Sequence, residues 1–243
     1  MYENLNELNY FQLKTMAIEM GLKVRRSKKD LIISISKAFD EYNEYKKDKL
    51  DKYKKSEKLG EGKEGTTYIV KTKSGNKYAM KTFRKQKSSK NLRKEAELQQ
   101  IAASVGISPN VVDIDTVSKY IVMDLLDRHL WEDVVKKKGL LEKTYQKQII
   151  SIFKKLDECG VFHADANVLN YMIKGKKLYI IDFGMAKQIT SELKKKLKTN
   201  SPNMTFMTLG LILKLKEMNC MRESYSYLAR YISDTDRKKF EIL

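Results

Sequence analysis

The sequence predicts an α+β fold, with an antiparallel sheet followed by a mostly helical half and a small helical hairpin ahead of both. Three observations carry that expectation. Residues 59–123 hold strand-like runs broken by glycine turns, whereas residues 127–243 are dominated by helical apolar spacing. Residues 1–39 hold two short amphipathic segments around a basic turn, and residues 40–58, which link them to the first strand, are dense in charge.

The composition bounds what the chain can be. Its 243 residues suffice for one large domain with a small appendage, and 42% hydrophobic residues can fill a core. Lys and Arg number 49 against 31 Asp and Glu, a net charge of +18. Such an excess suits an anionic partner such as nucleic acid, nucleotide or a membrane surface, or equally a lysine-rich solubilising surface. Cys159 and Cys220 fall in apolar helical patterns without metal-ligand spacing, which fits a reducing compartment better than a disulfide framework. No run reaches bilayer length, and the N-terminus lacks a signal peptide's apolar core. The expectation is a soluble intracellular monomer with no membrane partner, in cytoplasm or nucleus, or in a virion if the chain is viral.

In the first segment Leu8, Leu13, Met16, Ala17 and Met20 recur at helical spacing, and Gly21 comes next as a stop. Ser27 can cap a second helix that turns Leu31, Ile32, Ile35 and Phe39 inward. The spacing of Leu8, Leu13, Ala17, Gly21, Leu22, Lys28, Lys29 and Leu31 resembles the SAP-type helix-extension-helix motif, and the resemblance implies DNA binding. Arg25, Arg26, Lys28 and Lys29 gather at the start of the second helix, where unpaired backbone N–H groups and the helix dipole favour phosphate. A cluster of this kind grips a nucleic-acid backbone with little sequence preference and strong salt dependence. A docking or dimerising hairpin is the other reading, and DNA, RNA and protein stay open as partners of residues 1–39. Residues 40–58 read as a solvated helix or semi-rigid linker. The positive excess is not concentrated in residues 1–58, which weakens a purely electrostatic tail.

Next, Leu59-Gly60-Glu61-Gly62-Lys63-Glu64-Gly65-Thr66-Thr67 contains G-x-G-x-x-G between strand-like segments. Glycines allow a tight hairpin and let backbone N–H groups approach phosphate oxygens without a Cβ in the way. A helix after the glycines would suggest a dinucleotide fold. Instead the glycines lead into a second strand, then the turn Ser74-Gly75-Asn76, then Lys77 to Phe83 alternating as a half-buried strand. Residues 94–101 read as helical, Tyr120 to Met123 as a buried strand running into Asp124-Leu125-Leu126-Asp127, and Leu130 with Trp131 as the start of another helix. Residues 145–156 are amphipathic, with Ile149, Ile152, Phe153 and Leu156 on one face, and end at Cys159-Gly160.

The chain then reaches His163-Ala164-Asp165-Ala166-Asn167-Val168-Leu169-Asn170, a buried strand Leu178-Tyr179-Ile180-Ile181, and Asp182-Phe183-Gly184. An acid, an amide five residues on and a second acid after a strand suit phosphoryl transfer. One carboxylate orients a hydroxyl and accepts its proton, while an amide oxygen and the second carboxylate hold cations that bridge phosphates.

H-x-D-x-x-x-x-N with a later D-F-G resembles the catalytic and metal-binding loops of the protein-kinase-like superfamily. The resemblance implies a bilobal fold, with an N-lobe over residues 59–123 and a truncated helical C-lobe over 127–243. It implies ATP and Mg2+ as cofactors and a protein bearing a Ser or Thr hydroxyl as substrate. Asp165 is then the catalytic base, Asn170 and Asp182 the Mg2+ ligands, and His163 a structural residue under the loop. Lys81 would reach the nucleotide phosphates. Leu59 to Thr67, Ala79, Lys81, Asp124, Leu126 and Met172 would line the nucleotide site. Lys81 needs a carboxylate partner on the next helix, where Glu95 and Glu97 point to nearly opposite sides. Ile101, four residues beyond Glu97, is apolar while Gln99 beyond Glu95 is polar, so Glu97 is the expected partner.

Several positions depart from the family pattern. Ala164 replaces an arginine, which removes the anchor for a phosphorylated activation loop. Asn167 stands where a lysine usually meets the γ-phosphate, though it can still donate a hydrogen bond. No A-P-E comes after Gly184, and an apolar helix over residues 204–213 has Thr205 at the position usually held by aspartate. The minimal lower lobe is similar to small kinases of the RIO and Bud32 type and to compact kinases of large DNA viruses. Two other readings remain: a catalytically weak nucleotide-binding scaffold that binds DNA, and a small-molecule kinase, whose flavour the connection at residues 102–109 carries.

Overall fold

Asn9 starts the first helix, α1 (Tyr10–Glu19), by accepting from the Gln12 N–H while the Gln12 side chain returns to the Asn9 N–H. Gly21, at φ +69°, ends it, and the Leu22 N–H closes back on Ala17 O at 2.8 Å. Ser27 caps α2 (Lys28–Lys52) through the Asp30 N–H. Leu13 and Ala17 of α1 meet Leu31 and Ile35 of α2 in a small core flanked by Leu8, Met16, Met20, Ile32 and Phe39. The apolar periodicity of residues 1–39 therefore does what its spacing predicts. In this computed structural model the described residues are 4–242, and the side chains of 43–51, within the charged segment, lie outside the description. The chain divides into two units, Met1–Lys54 with Thr72–Ser74, and Lys55–Lys71 with Gly75–Leu243. The helix that starts at Lys28 continues through Lys52, into the charged segment. The first strand, β1 (Lys54–Glu61), begins earlier than the expected boundary at 59.

In the larger unit β1 is followed by β2 (Gly65–Lys71), β3 (Lys77–Phe83), α3 (Ser89–Ser104), β4 (Val111–Asp115) and β5 (Tyr120–Asp124). The strands form one sheet in the order β1-β2-β3-β5-β4, with β2–β3, β3–β5 and β4–β5 antiparallel. Lys81 lies opposite Thr67 on one side and Ile121 on the other. The two-residue period puts Ala79, Lys81 and Phe83 on one face. Ser88 caps α3 through the Asn91 N–H, and Leu92 and Ala96 pack on Phe83 and Ile121.

The second half opens with β6 (Arg128–His129) and α4 (Leu130–Lys136), then α5 (Lys143–Glu158), whose Ile149, Ile152, Phe153 and Leu156 are all buried. Short strands β7 (Val161–Phe162), β8 (Tyr171–Lys174), β9 (Lys177–Ile180) and β10 (Lys187–Gln188) frame the loops, with β6-β8-β9 forming one small sheet and β7 pairing with β10. After α6 (Ser191–Leu197) a π-helical turn, Asn203–Met207, leads into α7 (Thr208–Glu217), and then come α8 (Glu223–Ser226) and α9 (Asp234–Lys239). Leu211, Ile212 and Leu215 of α7 join α5 in the core. A Cβ on Gly210 would lie 2.8 Å from the Ala166 methyl, so the missing side chain lets α7 press against the loop that carries Asp165. Among the described residues both cysteines are free thiols, and no helix is long and apolar enough to cross a membrane.

Candidate active site

Each element delivers one part of the site. β3 presents Lys81 from the Ala79–Lys81–Phe83 face, and its Nζ lies 2.8 Å from Glu95 Oε1 and 2.8 Å from Asp182 Oδ1. Burial alone would lower the pKa of this ammonium, but the two carboxylates outweigh it and hold the value above the ordinary one for lysine. Burial likewise pushes Asp182 up, and its attraction to Lys81, with hydrogen bonds from Lys81 and the Gly184 N–H, leaves it below the usual carboxylate value. Lysine and aspartate therefore hold each other charged.

The carboxylate on α3 is Glu95 and not Glu97. Glu95 is 3% exposed, whereas Glu97 sits on the solvent face. The neighbours that favour Glu97 mislead for a physical reason. Gln99 is buried because its Nε2 donates to Pro109 O at 3.1 Å, while Ile101 is 38% exposed. A buried amide with its hydrogen bond made is as good a mark of the inner face as an apolar side chain.

Asp165 sits on the loop between β7 and β8. The Asn170 Nδ2 donates to Asp165 Oδ2 at 2.8 Å, which fixes the carboxylate, and the Asn170 N–H closes on Asn167 O at 3.0 Å. Asn167 Oδ1 accepts from the Leu169 N–H at 3.0 Å, so this side chain caps the turn Val168–Asn170, and its amide N–H groups have no acceptor among the described residues. Underneath, His163 is fully buried, with Nε2 3.0 Å from Ile181 O and its ring edge-on to Phe183 at 4.9 Å. Burial lowers its pKa, so His163 is a neutral spacer and not an exposed base. Ala164 and Asp182 have φ of +64° and +66°, a region that costs a non-glycine residue on the order of 1–2 kcal/mol. The strain falls on the two residues that set the direction of Asp165 and of the Asp182 carboxylate.

Sequence reasoning missed Asn203. Its Oδ1 accepts the His163 N–H at 3.1 Å and its Nδ2 donates to Val161 O and Asp157 Oδ1, each at 2.8 Å. Asn203 ties the helix start to the loop, whereas Thr205, which the residue count puts at the family's aspartate position, is exposed and bonds Ser201 O. The π-helical turn changes the register that residue counting assumes. Pro202, which opens the turn, is the local signal that a helix starts there.

The glycine-rich segment forms the β1–β2 hairpin, closed by the Gly62 N–H on Gly65 O at 2.9 Å. A Cβ on Gly65 would meet Thr82 O at 1.9 Å, so only glycine allows the β2–β3 approach there. A Cβ on Gly60 or Gly62 would meet nothing within 4 Å. Glu64 reaches down from this loop, with Oε2 2.8 Å from the Lys87 Nζ and 4.0 Å from the Lys81 Nζ. Lys87 also lies 2.7 Å from Glu95 Oε2, so two ammoniums are shared among the three carboxylates of Glu64, Glu95 and Asp182, whose oxygens lie within 4.8 Å of one another.

Ala79 and Leu126 are buried, and Met172 and Asp124 are half-buried. Asp124 is committed to Asn110, giving its N–H to Asn110 O and accepting from Asn110 Nδ2 at 2.7 Å. The Leu126 N–H has no backbone acceptor among the described residues. For a divalent cation the donors fit: neither Asn170 Oδ1 nor Asp182 Oδ2 has a partner among the described residues, and both are the hard oxygens magnesium prefers. The four basic residues of the N-terminal unit, Arg25, Arg26, Lys28 and Lys29, are all exposed around the Ser27 cap, and the Lys28 ammonium is braced by Asn6 O at 2.9 Å.

Comparison with known proteins gives a consistent picture. The protein kinase domain pattern matches residues 53–213. The chain is similar to the human hormonally up-regulated neu tumor-associated kinase, 31% identical over 148 residues, covering 54% of this chain and 20% of that protein. It is also similar to the putative serine/threonine-protein kinase L673 of Acanthamoeba polyphaga mimivirus, 27% identical over 169 residues, 64% of this chain and 30% of the relative. A third relative, the probable serine/threonine-protein kinase BUD32 homolog of Archaeoglobus fulgidus, is 24% identical over 118 residues, 49% of this chain and 57% of the relative. The chain thus spans about a fifth of the length of the human relative.

Proposed function

The chain belongs to the protein kinase domain family, and from that premise we propose that it is an ATP- and Mg2+-dependent phosphotransferase acting on serine or threonine hydroxyls of proteins. The observation that carries the reading is the convergence of Lys81, Glu95 and Asp182 from three separate segments. A β-strand lysine held charged between two acids at the mouth of a glycine hairpin suits the binding of a polyanion.

Lys81, kept in place by Glu95, neutralises phosphate oxygens, and the hairpin's backbone N–H groups cover them. The free Leu126 N–H and the buried faces of Ala79, Leu126 and Met172 suit the edge and plane of adenine. Asn170 Oδ1 and Asp182 Oδ2 would hold magnesium, which supplies charge neutralisation and alignment of the phosphates when bound. Asp165, oriented by the Asn170 amide, accepts the proton of the acceptor hydroxyl as its oxygen bonds to the γ-phosphorus and the bridging oxygen leaves with ADP. The free amide N–H groups of Asn167 can donate to the transferred phosphoryl group in place of a lysine.

Incubation with γ-labelled ATP and Mg2+ tests the reading, using Asp165→Asn as control. Label should pass to serine or threonine of an acceptor protein and fall by about 10²–10⁴ in the variant, with ATP affinity retained. Label that appears only on a small acceptor would favour a small-molecule kinase, and ATP binding without transfer a nucleotide-holding scaffold.

For the N-terminal unit we read the exposed cations at Arg25, Arg26, Lys28 and Lys29 as a contact for a nucleic-acid backbone. Binding to duplex DNA should weaken steeply with salt, and replacing all four by alanine should flatten the slope of log K against log salt by about 3–4. A slope unchanged in that variant would leave the basic turn without this role.

A further inference from the structure

The solvent face of α5 carries Lys147 and Lys154, seven residues and so about 10 Å apart along the helix. Tyr227 and the 3-10 turn Leu228–Tyr231 lie beside that face, and the Tyr227 N–H donates to Gln146 Oε1 of α5 at 2.9 Å. The Lys147 ammonium is 6.0 Å and the Arg230 guanidinium 5.8 Å from the centre of the Tyr227 ring, and the Lys154 ammonium is 5.5 Å from the centre of the Tyr231 ring. The two ring centres are 5.6 Å apart, so three cations stand around one pair of tyrosines. All three are exposed, and none makes an ion pair or a side-chain hydrogen bond among the described residues. The tyrosine hydroxyls lie 3.0 Å apart and have no other partner among those residues. One donates to the other, which leaves one O–H without an acceptor in the midst of the cations.

We propose that this cluster holds the phosphodiester backbone of a nucleic-acid strand, a contact of the larger unit separate from the basic turn at residues 25–29. It shares no residue with the candidate active site and does not rest on phosphoryl transfer. A phosphate oxygen satisfies both kinds of donor present, accepting charge-assisted bonds from lysine and arginine and an ordinary one from a tyrosine hydroxyl. Two turns of helix between Lys147 and Lys154 suit successive phosphates of a chain better than one small anion. Each cation already rests against a ring, so less side-chain freedom is lost on binding. A lipid surface would call for apolar side chains at the same place, and none of the large exposed apolar residues belongs to α5 or to residues 223–240. The charge of the chain agrees, since most of its positive excess lies beyond residue 58.

The test uses the full chain with Arg25→Ala, Arg26→Ala, Lys28→Ala and Lys29→Ala, so that the basic turn contributes nothing, and a fluorescent oligothymidylate of about 16 nucleotides read by polarisation. Adding Lys147→Ala, Lys154→Ala and Arg230→Ala should weaken binding about ten-fold and lower the slope of log K against log salt by about 2, the single-strand value for three phosphate contacts. The Tm should stay within about 2 °C, so that the loss reports the contact and not unfolding. Lys147→Arg with Lys154→Arg should keep both affinity and slope. Tyr227→Phe with Tyr231→Phe keeps the rings, and should weaken binding about three-fold with the slope unchanged. An affinity or a slope that survives in the triple alanine variant overturns the proposal. So does equal binding, through the same three cations, of phosphatidylserine vesicles or of a polyglutamate peptide of matched charge, which would assign the face to a membrane or to an acidic protein.

Discussion

The Lys81 ammonium lies 2.8 Å from the Asp182 carboxylate although 101 residues separate them in the chain. Glu95 completes the contact from a third element at the same distance. Lys81→Met should therefore reduce phosphoryl transfer by about 10²–10³, the scale of losing one preorganised electrostatic contact. Glu95→Gln should cost on the order of 10² and Glu97→Gln less than about two-fold, read as kcat/KM for ATP. Equal losses at the two glutamates would contradict the pairing seen here.

Asn203→Ala removes the bonds to His163, Val161 and Asp157 together. The groups left behind are buried, so the expected loss of stability is about 3 kcal/mol. Thr205→Ala, at an exposed position, should stay within about 0.5 kcal/mol. Urea unfolding of both variants distinguishes the residue that anchors the loop from the one that residue counting nominated.

The glycines of the hairpin separate by the same logic. Gly65→Ala drives a methyl into Thr82 O and should destabilise the sheet by about 2–3 kcal/mol. Gly60→Ala meets open space and should leave Tm within about 2 °C. If ATP approaches the backbone at Gly60, that variant raises KM for ATP without a change in Tm.

Stability should fall on acidification through His163. Its folded-state pKa is lowered by burial, so between that value and about 6.5 the unfolded chain binds more protons than the native one. The stabilisation is complete above about pH 6.5 and is lost as pH drops below it. His163→Phe keeps a ring against Phe183 and cannot titrate. Wild type should lead it by about 1 kcal/mol at pH 8, from the bond to Ile181 O, and the lead should shrink or reverse at pH 5. A lead independent of pH would mean that the imidazole titrates alike in both states.

The sequence by itself determined the α+β order of elements and the apolar spacing that packs α1 on α2, and it singled out Lys81, Asp165, Asn170 and Asp182 as candidates. Each rests on short-range relations: the period of a helix or strand, a cap, a turn, or a five-residue spacing within one loop. Only the tertiary structure decided that Glu95 faces inward, because Pro109 O, which buries Gln99, comes from another segment. It also decided that Asn203 and not Thr205 holds the loop, since a π-helical turn breaks the residue count, and it brought Lys63, Arg84, Lys87, Lys94 and Lys187 from four stretches of chain around one cavity. Burial and charge balance are sums over neighbours that are distant in the chain, and a linear pattern does not contain those distances.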